Sequence, residues 1–234
     1  MLTAALVLDK LAEKANPDNL PEMARFGMAV EKRLGVSVPA MRQIAKEIGH
    51  NHELALALWE TGIADARIVA SMIDTPHQVS PAQADQWVHT FNSWDVCDQV
   101  CLNLFEKTSW AWLKVPEWAE SDEEYVKRAA FVLIARLALR DKQATNEQFI
   151  QLFPLLKNAA SDERNFVKKA VNWALRNIGK RNLHLNLSAI QLAKEIQQIN
   201  SKAAQWIAVD AIRELDSNAV QQRLNGNNKK NKAA

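Results

Sequence analysis

Apolar residues recur with a helical period along almost the whole chain, and no stretch alternates convincingly as a strand. That pattern confines the fold to packed α-helices. Only 6 glycines interrupt 234 residues, and a hydrophobic share of 48% is enough for a sizeable core. The spacing predicts helices at about 2–15, 20–34, 38–49, 51–60, 63–73, 80–91, 94–107, 110–120, 122–141, 145–158, 162–180, 186–199 and 201–215. The breaks between them have chemical causes. Pro17 and Pro21 separate the first two helices. Gly35 is a C-cap candidate for the second, Pro39 suits the first turn of the third, and Gly49 ends it. Ser80 and Pro81 form a cap and first-turn pair, and Ser161 and Asp162 offer a cap before residue 164.

Helices this short, on loops of a few residues, pack as antiparallel neighbours. About a dozen in series predict an all-α fold, an α-solenoid of degenerate HEAT-like units near ~40 residues each. The run Ala129 to Ala135 is apolar all round, which marks an inner-layer helix. Residues 1–215 are expected to form a single repeat domain. Residues 216–234 read as a basic, disordered tail, Asn/Lys-rich from Gln221 on.

Net charge is +2, but it is unevenly spread. Residues 1–161 hold 16 basic and 21 acidic side chains (−5), and residues 162–234 hold 13 and 6 (+7). A basic C-terminal third suits a polyanionic partner, or else a solvated face with a charged tail. Cys97 and Cys101, the only cysteines, sit four apart on a helical pattern where a disulfide would be strained, so they read as buried thiols in a reducing compartment. The five histidines share no metal-ligand spacing, and no phosphate-binding glycine loop is present, so neither metal nor cofactor is expected. No stretch approaches the ~20 apolar residues of a membrane span, and no signal peptide is recognisable. A soluble, cytoplasmic, monomeric protein is the expectation.

Eight tryptophans against one tyrosine require placement. Trp59, Trp87 and Trp206 lie within amphipathic helices and read as core. Trp110, Trp112 and Trp118, around Pro116, read as an inter-helix corner. Trp173 is different. On a helical wheel Val167, Ala170, Val171, Ala174, Leu175 and Ile178 form the core arc, whereas Lys169, Trp173, Arg176 and Lys180 form a stripe opposite it. An aromatic among cations suits nucleic acid. A seam filled by Trp173 with snorkelling lysine stems explains the same stripe.

Residues 91–106 carry a second constellation. Val96, Cys97, Val100, Cys101, Leu104 and Phe105 make a core face, with Trp94 and Asp98 stacked one turn apart on its edge. A half-buried carboxylate at Asp98 needs a cation or donors. Asp95 reads as a first-turn acid favoured by the helix dipole. Arg128, one residue before the apolar run, is the matching oddity: either it pairs with a carboxylate such as Asp98, or it holds a phosphate and leaves Asp98 free for chemistry.

At these residues the chain resembles the AlkD family of DNA alkylation-repair glycosylases, from roughly Pro21 to Arg213. PEMARF with LGVSVPAMRQIAKEI is similar to that family's opening segment. SWDVCDQ resembles its Trp-Asp motif, VKRAA the segment carrying its groove arginine, and FVKKAVNWALRNIGK its second tryptophan helix. The resemblance implies a solenoid of HEAT-like repeats with a concave DNA-binding groove. It puts the catalytic aspartate at Asp98, the groove tryptophans at Trp94 and Trp173, and DNA-contacting arginines at Arg128 and Arg176. Lys169 and Lys180 add attraction for the backbone. A tyrosine of the family falls on Phe26, which keeps the ring and loses a hydroxyl. The implied activity is monofunctional excision of positively charged N3- and N7-alkylpurines from double-stranded DNA. Two other readings stay open: a non-catalytic DNA binder of the same fold, and a HEAT-type protein scaffold.

Overall fold

The computed structural model describes residues 2–232, with side chains through residue 226. The chain forms two compact units, residues 1–111 and 112–234. The first contains helices α1 (Ala4–Glu13), α2 (Leu20–Arg25), α3 (Val38–Ile48), α4 (His52–Glu60), α5 (Ala64–Ile73), α6 (Pro81–Val88) and α7 (Trp94–Asn103). The second, from a boundary at the start of α8 (Ala111–Ala119), contains α9 (Glu124–Arg140), α10 (Asn146–Ile150), α11 (Phe153–Ala159), α12 (Asn165–Gly179), α13 (Leu183–Gln197), α14 (Lys202–Leu215) and α15 (Asn218–Lys232). No strand occurs among the described residues.

Several caps follow the sequence. The Ser80 hydroxyl accepts from Gln83 N–H at the start of α6, and Pro39 lies in the first turn of α3. Gly49 closes α3 at φ +74°, a conformation that favours glycine. Cys97 and Cys101 are fully buried and form no disulfide. Residues Ala129 to Ala135 of α9 are completely inaccessible, as an inner-layer helix requires.

Other elements differ from expectation. The second helix stops at Arg25, not near residue 34. Gly27 follows at φ +75°, and residues 27–36 run irregularly. Their polar backbone is satisfied by side chains instead of a helical ladder. Asp65, in the first turn of α5 and 1% exposed, accepts from Leu34 N–H at 2.7 Å and Val36 N–H at 2.9 Å. Gly35 is thus no helix cap. It adopts φ +73° with its α-carbon so close to Asn16 that an added Cβ would lie 2.3 Å from the Asn16 carbonyl oxygen. The expected helix 145–158 divides into α10 and α11, because Pro154 has no N–H to return to the Ile150 carbonyl. Asp162 does not cap α12. Its carboxylate accepts from the Arg164 N–H and grips the Arg164 guanidinium, and Arg164 occupies the cap position without a side-chain bond. The expected tail is helical as α15, with Val220 and Leu224 buried; the side chains from residue 227 on lie outside the described set.

Within the second unit the repeat is visible as a recurring sequence offset. Arg128 of α9 donates to the Phe166 carbonyl of α12 at 2.6 Å, and Asn172 of α12 donates to Asp210 of α14 at 2.7 Å. Lys157 of α11 bonds Glu195 of α13 at 2.8 Å. Each pair is 38 residues apart. Helices α9, α12 and α14 therefore run parallel, one repeat per step. Their shared core is apolar: Val167, Ala170, Val171, Ala174, Leu175 and Ile178 of α12 are all at most 1% exposed.

Two outcomes follow from these contacts. Asp65→Ala leaves two backbone donors without their acceptor and should lower unfolding stability by about 2–4 kcal/mol in urea titration. The second concerns acid. Burial pushes the Asp141 carboxyl up, but the Trp112 indole N–H and the Ala144 and Gln143 amides outweigh it and hold it below its ordinary value. Burial likewise raises Asp162, and the Arg164 and Lys127 charges with the Arg164 amide reverse it. Both folded values lie below the unfolded one. Their stabilisation is thus complete above about pH 5 and is lost as pH falls through and below about 4. The thermal midpoint should hold steady from neutral pH to about 5 and then drop, with a shallower drop in Asp141→Asn.

Candidate nucleic-acid interface

Phe26, Trp94 and Asp98 belong to the first unit. Phe26 is the C-cap residue of α2 and is 59% exposed. The indole N–H of Trp94 donates to the Phe26 carbonyl at 3.1 Å, so the two aromatic residues are brought together by a backbone bond. Asp98 lies one turn beyond Trp94 on α7, half-buried, on a helix whose other face sinks Val96, Cys97, Val100 and Cys101 into the core.

The start of α7 is held from the irregular segment 27–36. Arg33, with a side chain 3% exposed, pairs with Asp95 through two hydrogen bonds at 2.7 and 3.0 Å. Its Nε donates to the Ala29 carbonyl at 2.8 Å. The Ser93 hydroxyl donates to Asp95 and accepts from Ala29 N–H. Asp95 is thus the anchor of a buried network, not merely an acid near a helix dipole. Nothing in the local sequence joins Arg33 to a residue 62 positions away.

Arg128, Lys169, Trp173, Arg176 and Lys180 belong to the second unit. Arg128 is 5% exposed. Besides donating to the Phe166 carbonyl, its guanidinium lies 6.0 Å from the centre of the Phe166 ring, which stacks on Tyr125. Trp173 is half-buried outside the core arc and Lys169 is exposed, as the wheel predicts. Arg176 and Lys180 are engaged within the protein. Glu214 of α14 binds the Arg176 guanidinium, and Lys180 donates to it at 2.6 Å. Asp210 lies 3.7 Å from Arg176 Nε. Burial raises the Glu214 carboxyl, but the Lys180 hydrogen bond and the Arg176 charge reverse that and hold it below the usual range. The two acids were not singled out in the sequence. Their signal is the 38-residue offset, which pairs Asn172 with Asp210 and Arg176 with Glu214.

Trp206 is not a core residue. It is 41% exposed on α14, with the Lys168 ammonium 5.2 Å from its ring centre. The other expected core tryptophans, Trp59 and Trp87, are buried and stacked 3.9 Å apart. Among the described residues no group of histidine, cysteine, aspartate and glutamate could hold a metal ion, and no helix is long and apolar enough to cross a membrane.

Comparison with known proteins locates this arrangement. No curated protein matches the sequence. Among solved structures, a member of a "new family of proteins related to the HEAT-like repeat DNA glycosylases with affinity for branched DNA structures" superposes with a TM-score of 0.76. It covers 91% of this chain and 95% of its own at 22% identity, which establishes the HEAT-like repeat fold. A designed armadillo repeat protein matches at 16% identity over 76% of this chain and 92% of its own, with a TM-score of only 0.36. The model of the family described as DNA alkylation repair enzyme matches residues 7–215, so the chain belongs to the DNA alkylation repair enzyme family.

Proposed function

We propose that this protein is a monofunctional DNA glycosylase that hydrolyses the N-glycosidic bond of positively charged N3- and N7-alkylpurines in duplex DNA. The observation that carries the reading is Asp98: a half-buried carboxylate one turn from a half-buried tryptophan, on helix α7 of a DNA alkylation repair family member.

The chemistry asks little of the protein. A cationic purine is already a good leaving group, so its departure needs no general acid. What rises in energy is the positive charge on the deoxyribose. A carboxylate facing the sugar stabilises that charge and orients the attacking water, and this is the role of Asp98. Trp94, fixed by its bond to the Phe26 carbonyl, offers an electron-rich face to the cationic sugar. Trp173 packs on the lesion-bearing nucleotide. Arg128, Arg176, Lys169 and Lys180 hold phosphates, with Lys169 the exposed cation of the set. Phe26 contributes a ring without a hydroxyl. The protein acts as a monomer and leaves an abasic site.

A second reading has its own support. The similar solved structure is described by its affinity for branched DNA, and a non-catalytic DNA binder would share the basic α12 while having no need of Asp98. Release of 7-methylguanine from methylated duplex DNA separates the two. The expected result is release by the wild type and a loss of roughly 10²-fold or more in Asp98→Asn with DNA affinity retained. Full activity in Asp98→Asn sinks the proposed mechanism, and a wild type that binds DNA but frees no base establishes the binder.

A further inference from the structure

Helix α14 has two unlike faces. Ala203, Ala204, Ile207, Ala208, Ala211 and Leu215 are at most 1% exposed and complete its packing. Lys202, Gln205, Trp206, Val209 and Arg213 are exposed and share the other face at helical spacing. Trp206 and Val209 are 41% and 54% exposed, so neither is needed for the core. These five residues and Asp210 line a shallow cavity of 430 Å³. That volume falls within the range of small-ligand sites, about 300–1,000 Å³.

The chemistry of the lining is specific. One wall is an indole, with the Lys168 ammonium 5.2 Å from its ring centre. Two further cations, Lys202 and Arg213, flank it, and the Arg213 side chain is 77% exposed. The one acid of the lining, Asp210, pairs with Arg213, lies 3.7 Å from Arg176 Nε and accepts from Asn172 at 2.7 Å; with Glu163, which accepts from Ala203 N–H and attracts Lys168 and Lys202, two acids face three cations. An exposed aromatic face among cations, in a segment of charge +7, complements a ligand that is both flat and anionic. Bases inside a duplex have both faces covered by their neighbours. Away from the duplex ends, only an unpaired base can offer a face to Trp206.

We propose that this α14 face is a further nucleic-acid contact beside the α12 stripe, where an unpaired base of single-stranded DNA adjoining the duplex stacks on Trp206 and its flanking phosphates meet Lys202 and Arg213. The inference rests on the reading of the protein as a DNA-binding repair factor. It assigns a role to a tryptophan that the excision chemistry does not use.

The test compares one blunt duplex with the same duplex bearing a short single-stranded overhang, by fluorescence anisotropy with labelled DNA. The wild type should bind the overhang form more tightly. Trp206→Ala should lose that advantage, by about ten-fold, and Trp206→Phe should keep most of it. Affinity for the blunt duplex should be the same in all three. A wild type that gains nothing from the overhang overturns the proposal, and so does full retention of the gain in Trp206→Ala. A change of oligomeric state in Trp206→Ala with the overhang gain intact also overturns it and makes the face a protein contact. Failure of the wild type to bind even blunt duplex refutes the proposed function itself, and this contact with it.

Discussion

The buried carboxylate of Asp65 holds the first unit's candidate site residues in place. Residues 27–36 have no ladder of their own, and Asp65 supplies the acceptors that the Leu34 and Val36 amides need. Once that segment is pinned, Arg33 can reach Asp95, and Asp95 fixes the first turn of α7. Trp94 begins that turn and Asp98 completes it. Upstream, the same segment leads back to Phe26, whose carbonyl receives the Trp94 indole. The candidate chemistry of α7 therefore depends on two acids that touch no substrate. Both are shielded from water, where charge-assisted hydrogen bonds are strongest and where loss of one partner costs most.

Helix existence was legible in the sequence because it is a local property. The core arc of α12, the Ser80 cap of α6 and the apolar run of α9 all follow from periodicity and capping chemistry. The misplaced boundaries share one cause. At residues 26–34 helical propensity is adequate, yet distant acceptors, Asp65 above all, hold the backbone in another path. The split at Gln151 follows from Pro154, whose break the apolar spacing across residues 145–158 conceals. Trp206 illustrates a different limit. Its spacing matches the buried face of an amphipathic helix closely enough to suggest core, but α14 fills its packing with alanines and leaves the indole outside.

The residues carrying the family resemblance were legible as types and positions, and their partners were not. Arg176 and Lys180 read as open cations because their acids lie a full repeat away. A degenerate repeat conceals such pairs, since no letter pattern announces the 38-residue step. The step emerges only when side-chain contacts are laid along parallel helices.

That pairing has a consequence for how the surface meets an anion. Glu214 is a counterion that cannot diffuse away. An anion arriving at Arg176 or Lys180 does not release a bound ion to the solvent. It must compete with, or share, a carboxylate tethered to the next helix. The release of a polyanion's own condensed cations contributes less at such a site, because the tethered carboxylate already offsets part of the charge. Engagement at Arg176 and Lys180 thus depends on side-chain geometry as well as on salt, whereas Lys169 remains the exposed cation of the stripe.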